Sequence, residues 1–225
     1  MQRLKFSIKA MRTLKPDSET MAEITVHRSR FLSFGAHVQS ESQARDFIAE
    51  VRSRHPQSRH VCTAFRVRTE SGMLLEHSSD DGEPSGTAGR PILQVLTGEK
   101  LENIVIAVVR YFGGVKLGTG GLVRAYQDVT MVMLQNAPIG RQVRWPIWTV
   151  TLPAFEAGRV ESHIRSSGFQ ILETKWGSET KLQVAVKPGE EERLDEQVSE
   201  LTGRHAGIEE TETTCTFFSQ VADTK

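Results

Sequence analysis

The stretch that most constrains this chain is NIVIAVVRYFGGVKLGTGGLVRAY, residues 103–126. An unbroken apolar run such as IVIAVV leaves no polar face for water, so it predicts a strand covered on both sides. The glycines at 113, 114, 118, 120 and 121 then predict a pliable loop. Beyond them, LVRAYQDVTMVMLQNA places Leu122, Tyr126, Val129 and Met133 on one helical face, and Pro138-Ile139-Gly140 ends the helix. A buried strand therefore hands over to a helix through a loop almost free of side chains. Helix starts carry unpaired amides and the positive end of the helix dipole. The amides of Gly118, Thr119, Gly120 and Gly121 form a potential anion site, with Gly113 and Gly114 giving close backbone approach and Arg110, Lys116 and Arg124 adding charge.

The rest of the first half reads as mixed strands and helices. AEITVHRSRFLSFGAHV (22–38) predicts two short strands bent around Arg28-Ser29-Arg30. Ser40 is the expected N-cap of a helix with Gln43 as reciprocal partner, a buried stripe of Phe47, Ile48 and Val51, and a stop at Pro56. VCTAFRVR (61–68) alternates as a strand, Ser71-Gly72 marks a hairpin turn, and MLLE is the return strand. Residues 78–91, SSDDGEPSGTAGRP, predict a loop, and PILQVLTG a short helix with Pro91 at its first position.

The second half repeats one pattern. PIWTVTL, FQILETKW, KLQVAVK and IEETETTCTFFSQV read as strands, while AFEAGRVESHIRSSG and PGEEERLDEQVSELTG read as helices. That order is βαββαβ, the ferredoxin-like arrangement. Leu194, Val198 and Leu201 supply the buried stripe of the last helix, and its acids form the solvated face. The expected class is α+β with two domains: an extension over 1–18, a first domain over 19–143 and a second over 144–225.

Composition sets outer bounds. With 225 residues, 38% hydrophobic content and 28 basic against 28 acidic residues, the chain can bury real cores and does not read as disordered. The neutrality hides a division. Residues 1–145 hold 20 Lys and Arg against 14 Asp and Glu, and residues 146–225 hold 8 against 14, so the halves differ in sign. No apolar run approaches the roughly 20 residues of a membrane helix, and the basic start lacks a signal-peptide core. Met11 and Met21 are alternative starts. Two cysteines, Cys62 and Cys215, fit free thiols in a reducing cytosol, so a cytoplasmic location is expected.

Several specific chemistries fail on spacing. Lys116 is followed by Leu117 and Gly118, not by the Ser or Thr of an ATPase phosphate loop. Val123 stands where a dinucleotide loop needs its third glycine. LGTGGL is similar to the loop of GHMP small-molecule kinases, but Gly120 and Gly121 replace its usual serines. Ser85, between Pro84 and Gly86, is in no nucleophile elbow, although it and Thr87 are able to donate to a ligand. Asp80, Asp81 and Glu83 either hold Mg²⁺ or accept backbone amides in a turn, and the turn is favoured. His60 and Cys62 share a strand face but lack the further ligands of a zinc site. A Cys–His catalytic pair is the less common reading of such a face. SRF (29–31) and RYF (110–112) pair arginines with aromatics. They are either stacking surfaces for unpaired bases or core rings, Phe31 and Phe112, beside solvated arginines; the second is favoured.

SDDGEPSGTAGRP and IVIAVVRYFGGVKLGTGGLVRAY, together with SRF at 29–31 and RHVC at 59–62, resemble the signature of the IMPACT family and its bacterial YigZ branch. The likeness runs from about residue 19 to the C-terminus. Gln127 departs from it, since glycine commonly follows the Ala-Tyr pair. The resemblance implies a ribosomal-protein-like first domain, as in elongation factor G domain IV, and a second domain like domain V of that factor. Eukaryotic members are translational regulators that compete for an activator of a stress-response kinase and carry an added N-terminal RWD domain. That domain has no counterpart here, so the kinase-pathway partner is not carried over. What remains implied is RNA or ribosome association and regulation of translation, with no membrane and no cofactor. The candidate ligand-binding residues are Arg30, His60, Asp80, Asp81, Glu83, Ser85, Thr87, Arg110, Gly113, Gly114, Lys116, Gly118, Thr119, Gly120, Gly121 and Arg124, with no catalytic or metal residue among them. The alternative is an enzyme or binding protein for a small phosphorylated or carboxylated metabolite, Mg²⁺-dependent if the acids bind metal.

Overall fold

The computed structural model of the chain describes residues 10–69, 71–203 and 207–220. They divide into two compact units, one of Met11–Gln142 together with 218–220 and one of Val143–Phe217 together with Ala10. The first contains, in order, β1 (Met11–Leu14), β2 (Glu19–Val26), β3 (Ser29–His37), α1 (Glu41–Arg54), β4 (His60–Arg68), β5 (Leu74–Ser79), α2 (Gly89–Gly98), β6 (Ile104–Tyr111) and α3 (Gly118–Gln135). A long strand, β7 (Ile139–Pro153), follows. The second unit adds α4 (Ala154–Ser166), β8 (Gln170–Lys175), β9 (Glu179–Ala185), α5 (Glu191–Thr202) and β10 (Gly207–Gln220).

In the first unit five antiparallel strands lie in the order β2-β3-β6-β4-β5. The central strand β6 carries the apolar run, and both its faces are covered. Ile104, Ile106 and Val108 join the core beneath α2 and α3, with Phe31, Leu122, Tyr126, Val129 and Met133. Val105, Ala107 and Val109 face the other way, toward Ala44, Phe47 and Val51 of α1. This is why no polar residue interrupts 104–109.

Ser40 caps α1 by accepting from the Gln43 amide at 3.2 Å, as expected. The reciprocal bond goes one residue further back, from the Gln39 amide to Gln43 Oε1 at 2.7 Å. Other expectations shift. The first hairpin turns at His27 and Arg28, both at positive φ, so of the expected Arg28-Ser29-Arg30 bend only Arg28 lies in the turn and Ser29 and Arg30 already belong to β3. Residues 78–91 are not all loop: Ser78 and Ser79 finish β5, and Gly89 opens α2, placing Pro91 at its third position. The expected second loop is likewise shorter, because Gly118–Gly121 form the first turn of α3. Residues 11–14, assigned by sequence to an extension, are a strand that pairs with Ile139–Gln142 at the head of β7. Short local reading missed β1 because its partner lies more than 120 residues away.

In the second unit the remainder of β7 pairs with β9 and β10, and β9 with β8, giving the order β10-β7-β9-β8. This is the ferredoxin-like βαββαβ layout, and the overall class is α+β. Val150, Leu152, Leu182, Val184, Leu194 and Val198 fill its core. Gly168 ends α4 at φ 88°. Among the described residues, no helix is long and apolar enough to cross a membrane. The side chain of Cys215 lies outside the described residues.

Candidate functional site

Asp80 takes up the N-terminus of α2: one carboxylate oxygen accepts from the amides of Ala88 and Gly89, both at 2.9 Å, and the other from Gly86 at 2.7 Å. Burial alone would push its proton affinity up, but the three amides outweigh it and hold the carboxyl below the usual range. Asp81 accepts from the Val61 amide at 2.7 Å and pairs with Arg52 at 2.9 Å. Its carboxyl is also lowered, with burial again opposed by Arg52 and the Val61 amide. Glu83 is buried and accepts from both Arg110, at 2.7 Å, and the Tyr126 hydroxyl, at 2.9 Å. All three acids are therefore spent on protein partners, and no group of metal-ligating side chains exists among the described residues. The turn reading describes what Asp80 and Asp81 do.

A sign for acid stability follows. Two carboxyls held below their unfolded values stabilise the fold above about pH 4 and lose that contribution as pH falls through their folded values. Urea midpoints are expected to drop between about pH 5 and pH 3. Asp80→Ala is expected to cost roughly 2 kcal/mol at neutral pH and to flatten that slope. A slope identical to that of the unsubstituted chain would contradict the capping role.

Arg110 departs from expectation most. It was expected to offer charge to a ligand, yet only 7% of it is exposed and Glu83 neutralises it. Its guanidinium lies over two rings, 5.4 Å from the centre of Phe31 and 5.6 Å from that of Phe112. Phe31 is core, but Phe112 is 55% exposed, so the core-ring reading fails for Phe112 and the solvated-arginine reading fails for Arg110. Arg30 is exposed, paired with Glu23 at 2.7 Å and placed over the Tyr111 ring at 5.8 Å.

His60 Nδ1 lies 2.8 Å from the Asp81 carbonyl oxygen, which can only accept, so this nitrogen carries the hydrogen. The Cys62 thiol lies 3.0 Å from the Asp80 carbonyl and 3.2 Å from the Tyr126 hydroxyl. Burial pushes the thiol up to about 12, away from the thiolate form that acts as a nucleophile. Burial likewise raises Tyr126. Thr87 is buried with its hydroxyl on the Pro84 carbonyl at 2.6 Å, while Ser85 is exposed.

The second loop is arranged differently. Gly113 packs on the Arg28–Ser29 main chain and donates its amide to Ser29 Oγ at 3.2 Å. Gly114 and Gly118 have positive φ. Gly118, Thr119 and Gly120 are exposed at the start of α3, where no side chain of the described residues caps the helix. Lys116 and Arg124 are exposed and form no ion pair among the described residues. Gln127, where the resemblance expects glycine, instead reaches Gln94 of α2 at 3.4 Å.

A cleft of about 330 Å³ is lined by Gln57, Arg59, His60, Arg110, Tyr111 and Phe112; none of residues 113–121 lines it. Glu83 connects its wall to α3 through Arg110 and Tyr126. The candidate list omits Gln57, Arg59, Tyr111 and Phe112 of this cleft, and the buried Ser29 and Tyr126 hydroxyls. A tyrosine on an otherwise apolar helix face was the available signal, because a buried hydroxyl needs a partner.

Comparison with known proteins gives the lineage. The Impact N-terminal domain matches residues 27–134, and a domain of unknown function (DUF1949) matches residues 156–204. The IMPACT family member YvyE of Bacillus subtilis is 32% identical over 192 residues, 85% of this chain and 88% of its own length. The chain belongs to the IMPACT family. The IMPACT family member YigZ of Escherichia coli is 33% identical over 72% of this chain and 79% of that protein. A solved structure described as that of a hypothetical protein superposes with a TM-score of 0.61 at 28% identity, covering 90% of this chain and 98% of that one. Every candidate residue, from Arg30 to Arg124, falls within the stretch matched by the IMPACT N-terminal domain.

Proposed function

We propose that this IMPACT-family chain is a cytoplasmic, non-enzymatic protein that binds RNA, free or within the ribosome, and acts in the regulation of translation. The observation that carries the reading is the open start of α3. Among the described residues its first amides meet no capping side chain, and they lie next to Lys116 in the more basic half of the sequence. Gly120 sharpens the point. A Cβ there would meet nothing within 4 Å, and its φ is not positive, so neither packing nor backbone geometry requires glycine. Close approach of a phosphate to the helix start does. The acids and the thiol near the first loop are committed to internal contacts, which supports binding over catalysis.

The test is a fluorescence-anisotropy titration with a short single-stranded RNA between about 50 and 200 mM salt. Affinity is expected to fall steeply with salt. Lys116→Ala should weaken binding and reduce the log–log slope by about one. Gly120→Ala should leave the fold intact, or stabilise it by about 0.5–1 kcal/mol, while weakening binding. No detectable binding at the lowest salt would end this reading.

A further inference from the structure

The cleft lined by Gln57, Arg59, His60, Arg110, Tyr111 and Phe112 plays no part in the argument from α3. Its volume, about 330 Å³, is at the lower end for small-molecule sites and suits one nucleotide. No carboxylate side chain is among the residues that line it. Glu83, beside the Arg110 guanidinium, is buried and already bonded.

Each wall offers one element of nucleotide recognition. Phe112 is a large ring left 55% exposed, although the core beneath it holds Phe31 with no exposure at all. Arg59 is exposed and has no ion pair among the described residues. Arg110 Nε is buried and has no partner among the described residues, an unspent donor on a side chain that is only 7% exposed. His60 has one ring nitrogen committed to Asp81, which leaves Nε2. Gln57 carries an amide that both donates and accepts, the pattern that reads a base edge.

We infer that this cleft is a pocket for one unpaired nucleotide, its base stacked on Phe112 with Gln57 at the base edge and its phosphate held by Arg59. The inference rests on the RNA reading above and narrows it: a base inside a duplex has neither its face nor its pairing edge free, so the preferred RNA is single-stranded.

The experiment places 2-aminopurine at successive positions of a short single-stranded RNA and in a hairpin of the same sequence. It reads anisotropy and base fluorescence for the unsubstituted chain, Phe112→Ala, Phe112→Leu and Arg59→Ala. Adenosine monophosphate alone is titrated in parallel by NMR. Phe112→Ala is expected to weaken single-strand binding roughly ten- to a hundredfold and to abolish the fluorescence change. Phe112→Leu, which keeps an apolar side chain at that position, should fall between and decides the matter if the alanine variant misfolds. The hairpin should bind at least several-fold more weakly. RNA binding that is unchanged in both Phe112 variants overturns the pocket and leaves the RNA reading standing. Mononucleotide binding lost in Phe112→Ala, with no RNA bound, supports the pocket and sinks the RNA reading. If neither ligand binds, both fall.

Discussion

Glu83→Ala is expected to destabilise the first unit by about 3–5 kcal/mol, the range measured when one partner of a buried ion pair is removed. Both side chains of the Arg110–Glu83 pair are nearly inaccessible, at 7% and 4% exposure, and their atoms lie 2.7 Å apart. Without the carboxylate, a guanidinium stays buried between two rings and the Tyr126 hydroxyl loses its acceptor. For a unit of this size the melting temperature should fall by roughly 10–15 °C. The second substitution separates causes. Adding Arg110→Met removes the stranded charge, so the double variant should recover more than half of the loss, as measured by urea unfolding. A single-variant cost below about 1 kcal/mol would show that the pair is not the buried bond described.

Gly113→Ala should rank next, at about 3 kcal/mol or more, the upper end for forced overpacking. A Cβ at this position collides with the main-chain carbon and oxygen of Arg28 and the nitrogen of Ser29. Those are backbone atoms, which cannot swing aside as a side-chain end can. Relief requires the β2–β3 turn and the end of β6 to separate, breaking the bond from the Gly113 amide to Ser29 Oγ. The informative comparison is Gly120→Ala, seven residues later in the same glycine-rich run, where the added methyl meets open space. One substitution type should therefore give opposite signs of stability change within one loop and helix start. Equal urea midpoints for the two variants would contradict the close approach at Gly113.

Much of the fold was legible because its signals are local. The apolar run at 104–109, the Ser40 cap and the face shared by Leu122, Tyr126, Val129 and Met133 each need only neighbouring residues to be read. The βαββαβ order of the second unit followed from the same kind of periodicity. What sequence reading could not reach depends on distant partners. Asp80 reads as a turn acid or a metal ligand until the start of α2 is seen against it. Arg110 reads as a free cation because Glu83 is 27 positions away. Phe112 lies just past the end of β6, where strand alternation no longer tells inside from outside, so its exposure had no sequence signature. The candidate list thus mixes two kinds of residue. Asp80, Asp81, Glu83, Thr87 and Arg110 are bonded within the protein, while Lys116, Arg124 and the start of α3 are exposed.

Glu83 touches Arg110 in the cleft wall with the same oxygen that receives the Tyr126 hydroxyl from α3. One atom is thus a strut common to two places where a guest is proposed to sit. Coupling between sites is reciprocal, so any preference that occupancy of the cleft imposes on this strut is returned in equal measure when the helix start is filled first.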